Sequence, residues 1–219
     1  MNDVDVSGVV PSAVAAFDVD HTLTVKDCVV PFLREVAGWR WYANLLARIV
    51  PLSVAVARRD RDSVKAVVTA AAVKGRPITL VDEKASRFAG RAFPTWLRDD
   101  TVRRLQWHRE QGHRVVLVSA SYRSYLEHLA RFLGCDAVLS TEIEVDETGR
   151  CTGRLKGPNC RGVEKAARLT AWMRAEGIDG AKVWAYGDST GDDQMLSMAS
   201  HAVRVTKDPI PLSPLEDAA

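Results

Sequence analysis

The sequence predicts an α/β protein: a parallel sheet with helices on both faces and a helical segment inserted after the first strand. Three observations carry that reading. Apolar runs that stop abruptly in small polar residues occur at "SAVAAFDVD" (Ser12 to Asp20), "HRVVLVSAS" (His113 to Ser121) and "KVWAYGDST" (Lys182 to Thr190), as buried parallel strands do. Helical patterns lie between or after the later runs, at Tyr122–Leu133, Val163–Glu176 and Asp192–Ala199, and strands alternating with helices indicate parallel connections. The interval from Lys26 to Arg98 does not alternate: rich in Ala, Val, Leu and Arg, it reads as helical nearly throughout.

In chain order, the first strand is followed by this insertion, with breaks expected at Pro51, at Lys74–Pro77 and at Phe93-Pro94. The second strand and its helix come next. "TEIEV" and "CTGRL" flank "DETGR" (Asp146 to Arg150), which suggests a hairpin projecting from the sheet. "HAVRVTKD" (His201 to Asp208) is a weaker fourth strand, and the tail from Pro209 to Ala219, Pro-rich and then acidic, is expected to be loose. Residues 1–25 and 99–219 are thus expected to form the core, and 26–98 a separate helical unit.

At 219 residues, 47% hydrophobic and 26% charged, the chain can bury a core without staples. Its net charge of +2 is too near balance for a nucleic-acid surface, so no nucleic-acid partner is expected. Arg58, Arg59 and Arg61 cluster, but Asp60 and Asp62 interleave with them, as on a solvated helix face. Cys28, Cys135, Cys151 and Cys160 are scattered without a C-x-x-C pair. That argues against zinc and for free thiols in a reducing, cytoplasmic setting. "MNDVDVSGVV" is acidic and lacks the basic start of a signal peptide. The most apolar window, Tyr42 to Ala57, is short of a bilayer span and broken by Arg48 and Pro51. It leaves peripheral membrane contact open. Oligomeric state is not legible.

Ligands of open parallel sheets sit beyond the carboxyl ends of the strands, so Asp18, Asp20, Ser119, Asp188 and Asp192 should converge there. Four aspartates at one edge repel unless an oxygen-loving cation joins them, and Mg²⁺ commonly takes one or two carboxylates with a phosphate oxygen. A phosphate needs donors: the Ser119 hydroxyl, the backbone N–H groups beyond each strand, and Lys165 of "GVEKAARL" to balance charge. Asp18, first past the apolar run, can stay ionised beside a cation and attack phosphorus. Asp20, two residues on, should face the same side. It can protonate the leaving oxygen and then activate water.

Plainer readings account for less. An EF-hand loop fails because Leu23 stands at its glycine position and Val29 at its final glutamate. Strand-end capping does not explain "GDSTGDD". Lys165 alone would be an ordinary helix lysine, and Lys156, in the hairpin, is a weaker competitor. His21 is expected to be exposed, and Asp193 to be a helix N-terminal charge.

Together these stretches resemble a known family. "FDVDHTLT" (Phe17 to Thr24) resembles the D-x-D-x-T motif of the haloacid dehalogenase-like hydrolases. Ser119 at the end of "VVLVS" resembles their second motif, Lys165 their third, and "GDSTGDDQML" from Gly187 their fourth. The resemblance spans roughly Ala13 to Val205, and the place of the insertion is similar to subfamily IB, the phosphoserine phosphatase-like members. It implies a Rossmann-like core with an all-helical, C1-type cap. It implies Mg²⁺-dependent phosphomonoester hydrolysis through an aspartyl-phosphate, with Asp18 as nucleophile and Asp20 as acid/base. It further implies Mg²⁺ held by Asp18, the backbone carbonyl of Asp20, Asp188 and Asp192 (the last directly or through water). Ser119, Ala120 and Lys165 would contact phosphate, and Thr22 would orient the loop.

Asp27 falls at the cap entrance, where phosphoserine phosphatases carry a glutamate for the substrate amine; it is one methylene shorter. Arg34, Arg58, Arg61 and Arg76 are unranked candidates for the cap cation. "GWRWYANLLARIVPL" reads as cap core or as an interfacial patch. The expected substrate is a small phosphomonoester. The alternatives are a lipid phosphate such as phosphatidylglycerophosphate, a phosphomutase, a receiver-type signalling domain or a non-catalytic binding module. A receiver lacks an aspartate two residues after the nucleophile and has no large cap.

Overall fold

The computed structural model describes residues 13–211; "MNDVDVSGVV" and the tail from residue 212 lie outside the described residues. The chain begins with β1 (Ala13–Phe17) and runs through five helices: α1 (Val29–Ala37), α2 (Arg40–Leu46), α3 (Ile49–Ala57), α4 (Arg61–Val73) and α5 (Ile78–Trp96). It returns through α6 (Asp99–Glu110), β2 (Arg114–Tyr122), α7 (Arg123–Leu133), β3 (Ala137–Thr141), β4 (Ile143–Val145) and β5 (Cys151–Leu155). It closes with α8 (Val163–Ala175), β6 (Lys182–Gly187), a 3₁₀ turn over Thr190–Asp192, α9 (Asp193–Ser197) and β7 (His201–Arg204).

Five strands form one parallel sheet in the order β3-β2-β1-β6-β7. β1 is central and every one of its residues is buried, which is why it reads as an unbroken apolar run. Alternate residues serve opposite faces. Val14, Ala16, Val116 and Val118 pack with Leu169 and Met173 of α8 and with Met195 and Leu196 of α9. Ala15, Phe17, Val115 and Leu117 join a second layer holding Leu105 of α6, Tyr125, Leu126 and Leu129 of α7, and Phe32 and Phe88 of α1 and α5. Phe17 lies opposite Leu117 on one side and Tyr186 on the other. Their successors therefore leave the sheet at one edge.

The chain leaves the sheet for α1–α5 and returns from them side by side. The Val25 N–H donates to the Trp96 carbonyl at 2.8 Å and the Arg98 N–H to the Leu23 carbonyl at 2.9 Å. β4 and β5 pair antiparallel around the expected turn. This hairpin docks on the turn between α4 and α5, with the Gly75 N–H on the Cys151 carbonyl and the Cys151 N–H on the Arg76 carbonyl, both at 2.8 Å.

Several expectations shift. Phe93-Pro94 does not break a helix: α5 continues to Trp96. Pro94 lies in its last turn, where one lost backbone donor costs less than unpacking Ala92 and Phe93. The break expected at Pro51 falls earlier, at Ala47–Arg48, and Pro51 sits in the first turn of α3, where the N–H has no intrahelical partner to lose. The Arg58–Arg61 cluster is the α3–α4 turn, with Asp60 capping α4 by accepting from the Asp62 and Ser63 N–H groups. β3, "AVLST", is a sheet strand the pattern did not announce, and α6 was not anticipated either. The start of the tail is tied down: Ile210 donates to Asp100 at 2.9 Å, and the Pro211 carbonyl accepts from buried Arg104 at 2.7 Å.

Candidate active site

Three strand ends build the site. After β1 the chain closes a tight loop on one acceptor. The Val19 carbonyl receives the N–H groups of Thr22 at 3.1 Å and of Leu23 and Thr24 at 2.9 Å, together with the Thr24 hydroxyl at 3.1 Å. His21 adopts a left-handed conformation, φ 60°, to allow this, and it is exposed as expected. Asp18 itself still belongs to the sheet, its N–H on the Tyr186 carbonyl at 2.9 Å. The Thr22 hydroxyl stands 3.5 Å from the Asp18 carboxylate.

The second strand ends in a bulge. β2 pairs with β3 through Ser119 opposite Ser140 and resumes at Tyr122 opposite Thr141, leaving Ala120 and Ser121 unpaired between them. Bulges re-aim side chains. Here the Ser121 N–H donates to Ser119 Oγ at 3.2 Å and the Ser121 hydroxyl donates to Asp20 Oδ2 at 2.5 Å. The other Asp20 oxygen accepts the Cys28 N–H at 2.8 Å.

The third strand end supplies the acids. Asp192 folds back over Gly187, where a Cβ would stand 2.5 Å from the Asp192 Cβ, so only glycine permits the approach. The N–H and hydroxyl of Ser189 both donate to Asp192 Oδ2 at 2.9 Å. Its other oxygen lies 2.5 Å from Lys165 Nζ, which also stands 2.5 Å from Asp18 Oδ1. Lys165, in the first turn of α8, is 2% exposed, and no solvent competes for either ion pair. Asp18, Asp188 and Asp192 each present an oxygen, and the three lie within 4.8 Å of one another.

Burial governs the charges. It pushes the Asp18 carboxyl up to about 7 against the pull of Lys165, with Asp192 and Asp20 adding repulsion. It raises Asp188, with Asp192 reinforcing the shift. It raises Asp20, helped by Asp27 and opposed by the bonds from Ser121 and Cys28. Burial disfavours the Lys165 ammonium, but Asp18 and Asp192 outweigh it and hold that pKa above the ordinary lysine value. A cleft of about 880 Å³, lined by His21, Arg98, Asp188, Thr206 and Lys207 among others, opens beside the cluster. It touches the cluster only at Asp188, with Asp18 and Asp192 buried behind it.

The sequence-predicted residues divide accordingly. Asp18, Asp188, Asp192 and Lys165 come together. Asp20 lies beside them, with its carboxylate turned to Ser121 and Cys28 rather than into the acidic cluster. Ser119 and Ala120 sit on the bulge. Asp27 is exposed and accepts from the Val29 and Val30 N–H groups at the start of α1, at 2.9 and 3.4 Å. Lys156 is solvated, 3.4 Å from Glu142, and Asp193 pairs with Arg204.

The four arginines considered for the cap cation point elsewhere: Arg34 covers Tyr42, Arg76 donates to the Ala72 carbonyl, and Arg58 and Arg61 are exposed. Lys65 of α4 reaches the site instead. It is buried, donates to the Ala120 carbonyl, stands 3.5 Å from the Thr141 hydroxyl, and lies over the Tyr122 ring. Burial lowers its pKa to about 8, although Asp20 opposes the shift. Asp62, one turn earlier, accepts from Asn159 at 2.7 Å. The available signal was a lysine on a buried stripe, with Lys65, Thr69, Ala72 and Val73 at helical spacing. For Ser121 it was only proximity to Ser119.

A parallel sheet whose carboxyl edge gathers acids around a buried lysine defines a class, the α/β enzymes of phosphate-ester chemistry. Comparison narrows it. The family model of the haloacid dehalogenase-like hydrolases matches residues 15–197, and the chain belongs to that family of hydrolases. Protein CicA of Caulobacter vibrioides is 38% identical over 84% of this chain and 82% of its own length. A phosphoserine phosphatase of Archaeoglobus fulgidus is 28% identical over 88% of this chain and 53% of its own. A solved phosphoserine phosphatase, described as a phospho-aspartyl intermediate analogue, superposes with a TM-score of 0.62 at 18% identity, over 89% of this chain and 86% of that one. That likeness establishes the shared fold. Among the described residues no helix is long and apolar enough to cross a membrane.

Proposed function

We propose that this chain is a Mg²⁺-dependent phosphatase of small phosphomonoesters, phosphoserine phosphatase-like, working through an aspartyl-phosphate on Asp18. The observation that carries the reading is buried Lys165 held between Asp18 and Asp192, 2.5 Å from each. That arrangement sets a nucleophilic carboxylate beside a cation that opposes the effect of burial on its charge and that also suits a phosphoryl oxygen. The donor set fits Mg²⁺: carboxylate oxygens of buried Asp18 and Asp192 and half-buried Asp188 lie within 4.8 Å of one another, where Asp192 repels the other two. With the Asp20 backbone carbonyl these residues would hold the ion, which supplies positive charge against the phosphate and the clustered carboxylates.

The chain's own groups carry the steps. Asp18 attacks phosphorus, and the bond to the leaving oxygen breaks as the carboxylate–phosphorus bond forms. Asp20, its pKa raised by burial, hands a proton to the departing oxygen. It then accepts one from the water that hydrolyses the acyl phosphate. Ser119, the N–H groups of the Ala120 bulge and Lys165 orient the phosphate. Lys65 is the cap cation facing the leaving group, which favours a substrate with a second anionic group there. Asp27 borders the same space. The free thiols of Cys28, Cys135, Cys151 and Cys160 suit a reducing, cytoplasmic setting.

Phosphate release from phosphoserine, sugar, nucleotide and histidinol phosphates and phospholipid monoesters, with Mg²⁺ and with chelator, tests the reading. Borohydride trapping of the acyl phosphate at Asp18 completes it. Mg²⁺-dependent release with trapping at Asp18 is expected. Release indifferent to chelation, or a label elsewhere, overturns the mechanism. Transfer to a second hydroxyl instead of water would mark a phosphomutase. One observation favours lipid phosphates as a second substrate class: the apolar outer surface of α2 and α3.

A further inference from the structure

α3 is IVPLSVAVA, apolar on every side, yet among its residues only Ala55 is buried. A helix of that composition belongs in a core or against an apolar phase. α2 repeats the pattern. Trp41 is buried and donates to the Val68 carbonyl of α4 at 3.2 Å, and Asn44 donates to the Ala71 carbonyl at 2.8 Å. These bonds turn the opposite side of α2 outward. Trp39 is 76% exposed, Leu46 71% and Val50 69%, and Tyr42, Ile49, Val54 and Val56 are exposed beside them. Single exposed apolar residues are ordinary; a contiguous group of seven over one helix pair marks a docking surface.

The charges around this surface select its occupant. From Trp39 to Asp62 the chain holds five arginines (Arg40, Arg48, Arg58, Arg59 and Arg61) against two acids, Asp60 and Asp62; the Asp60 carboxylate is occupied in capping α4 and that of Asp62 accepts from Asn159. Arg40, Arg58, Arg59 and Arg61 are exposed, and Arg48 is half-buried. Apolar side chains with Trp and Tyr, fringed by arginine, match the boundary of an anionic lipid layer, with the apolar residues in the acyl region and the guanidinium groups at the headgroup phosphates. A second copy of this chain would bring two arginine fringes together, and like charge opposes that pairing. We propose that the outer face of α2 and α3 docks this protein on an anionic lipid surface. The proposal does not depend on which phosphate ester is hydrolysed. It has a structural consequence, because α2 and α3 both pack on α4, the helix that carries Lys65 to the Ala120 carbonyl. The docking face and the substrate side of the cap thus share one helix.

The full chain is tested by co-sedimentation with vesicles of phosphatidylcholine alone and of phosphatidylcholine mixed with phosphatidylglycerol. Binding to the anionic vesicles, weakened by salt and weaker still to the neutral ones, is expected. The pair Val50→Asp and Val54→Asp should lower the partition coefficient roughly tenfold or more. Arg58→Glu with Arg59→Glu should remove the preference for anionic lipid. Both variants should keep wild-type turnover of a water-soluble aryl phosphate without vesicles, which verifies their fold. Absence of binding to anionic vesicles overturns the proposal, as does binding that survives both pairs of substitutions. So does a micromolar dimer, seen by sedimentation equilibrium and broken by the valine substitutions, since a second copy would then be the occupant.

Discussion

β1 and α3 are both apolar runs rich in Ala and Val, AVAAF and IVPLSVAVA. In β1 every side chain is buried; in α3 one is. The sheet closes its own apolar surface, with helices on both faces, and the carboxylates at its edge inherit that rigidity. The cap closes only its inner side. Phe32 and Phe88 meet Tyr122 and Tyr125 across the boundary, with Phe32 and Tyr125 ring centroids 4.8 Å apart, while the outer side stays apolar and unfilled. Chemistry that must be held to fractions of an ångström is built on the first kind of surface, and recognition on the second.

The largest test of that division is Asp18→Asn. Turnover should fall on the order of 10³-fold or more, equally for every substrate, because an amide cannot serve as the nucleophile. Thermal unfolding should not suffer, because burial already disfavours the Asp18 charge. A loss confined to one substrate would place the chemistry partly in the cap and break the comparison.

The second test is Leu117→Ala, beneath the site in the strand that carries Ser119. Leu117 is fully buried between β1 and β3, and truncation should cost about 2–5 kcal/mol in denaturant unfolding. A cost below about 1 kcal/mol would mean that the sheet is not the rigid half.

How far each half could be read from sequence follows the same line. Strands that bury both faces announce themselves as apolar runs, so β1, β2 and β6 were legible, and acids just past them pointed to one edge. β3, an edge strand of five residues with Ala137 and Leu139 half-buried, lacks that run and was missed. Asp18, Asp188 and Asp192 could be gathered in advance because sheet topology brings strand ends together, whereas Lys165, on α8, was legible only through its likeness to the family's third motif. Ser121 could not, because its aim depends on a bulge that no local pattern encodes. The sequence offers arginines for the cap cation, whereas the cationic side chain of α4 that reaches the Ala120 bulge is Lys65. Side-chain direction on a helix depends on which stripe is buried, and in α4 the short Ala and Thr residues blur that stripe. Pro94 misled for a related reason: a proline reads as a breaker unless packing beyond it holds the last turn.

Lys65 sharpens the comparison, since it belongs to the cap but ends at the core. Lys65→Met should reduce kcat/KM about 10- to 100-fold for substrates with an anionic leaving group, chiefly through KM, and much less for neutral ones. Stability should hold or rise, because a desolvated ammonium is removed. The pH dependence has a defined sign. The ammonium is present below about 8 and lost above it, so KM for an anionic substrate should climb as pH rises through 8. Lys65→Arg, which stays charged, should flatten that climb. Folding stability runs the other way: the unfolded chain keeps its proton to the ordinary lysine value, so this residue adds stability as pH rises from about 8. A KM profile identical in wild type and Lys65→Arg would remove Lys65 from substrate contact.

The smallest effect is the most diagnostic of the outer cap. Leu46→Ser deletes a large apolar side chain, a change that at Leu117 would be severe. Leu46 is 71% exposed at the end of α2. Little apolar area leaves the protein interior when it is truncated, and no cavity is left behind. Unfolding free energy in dilute buffer should therefore change by about 0.5 kcal/mol or less, and turnover of a soluble substrate should be unchanged. A cost near that of Leu117→Ala would mean that α2 is covered in solution. Apolar area would then be closing over the cap after all, and the contrast between a sealed sheet and an unsealed cap would not stand.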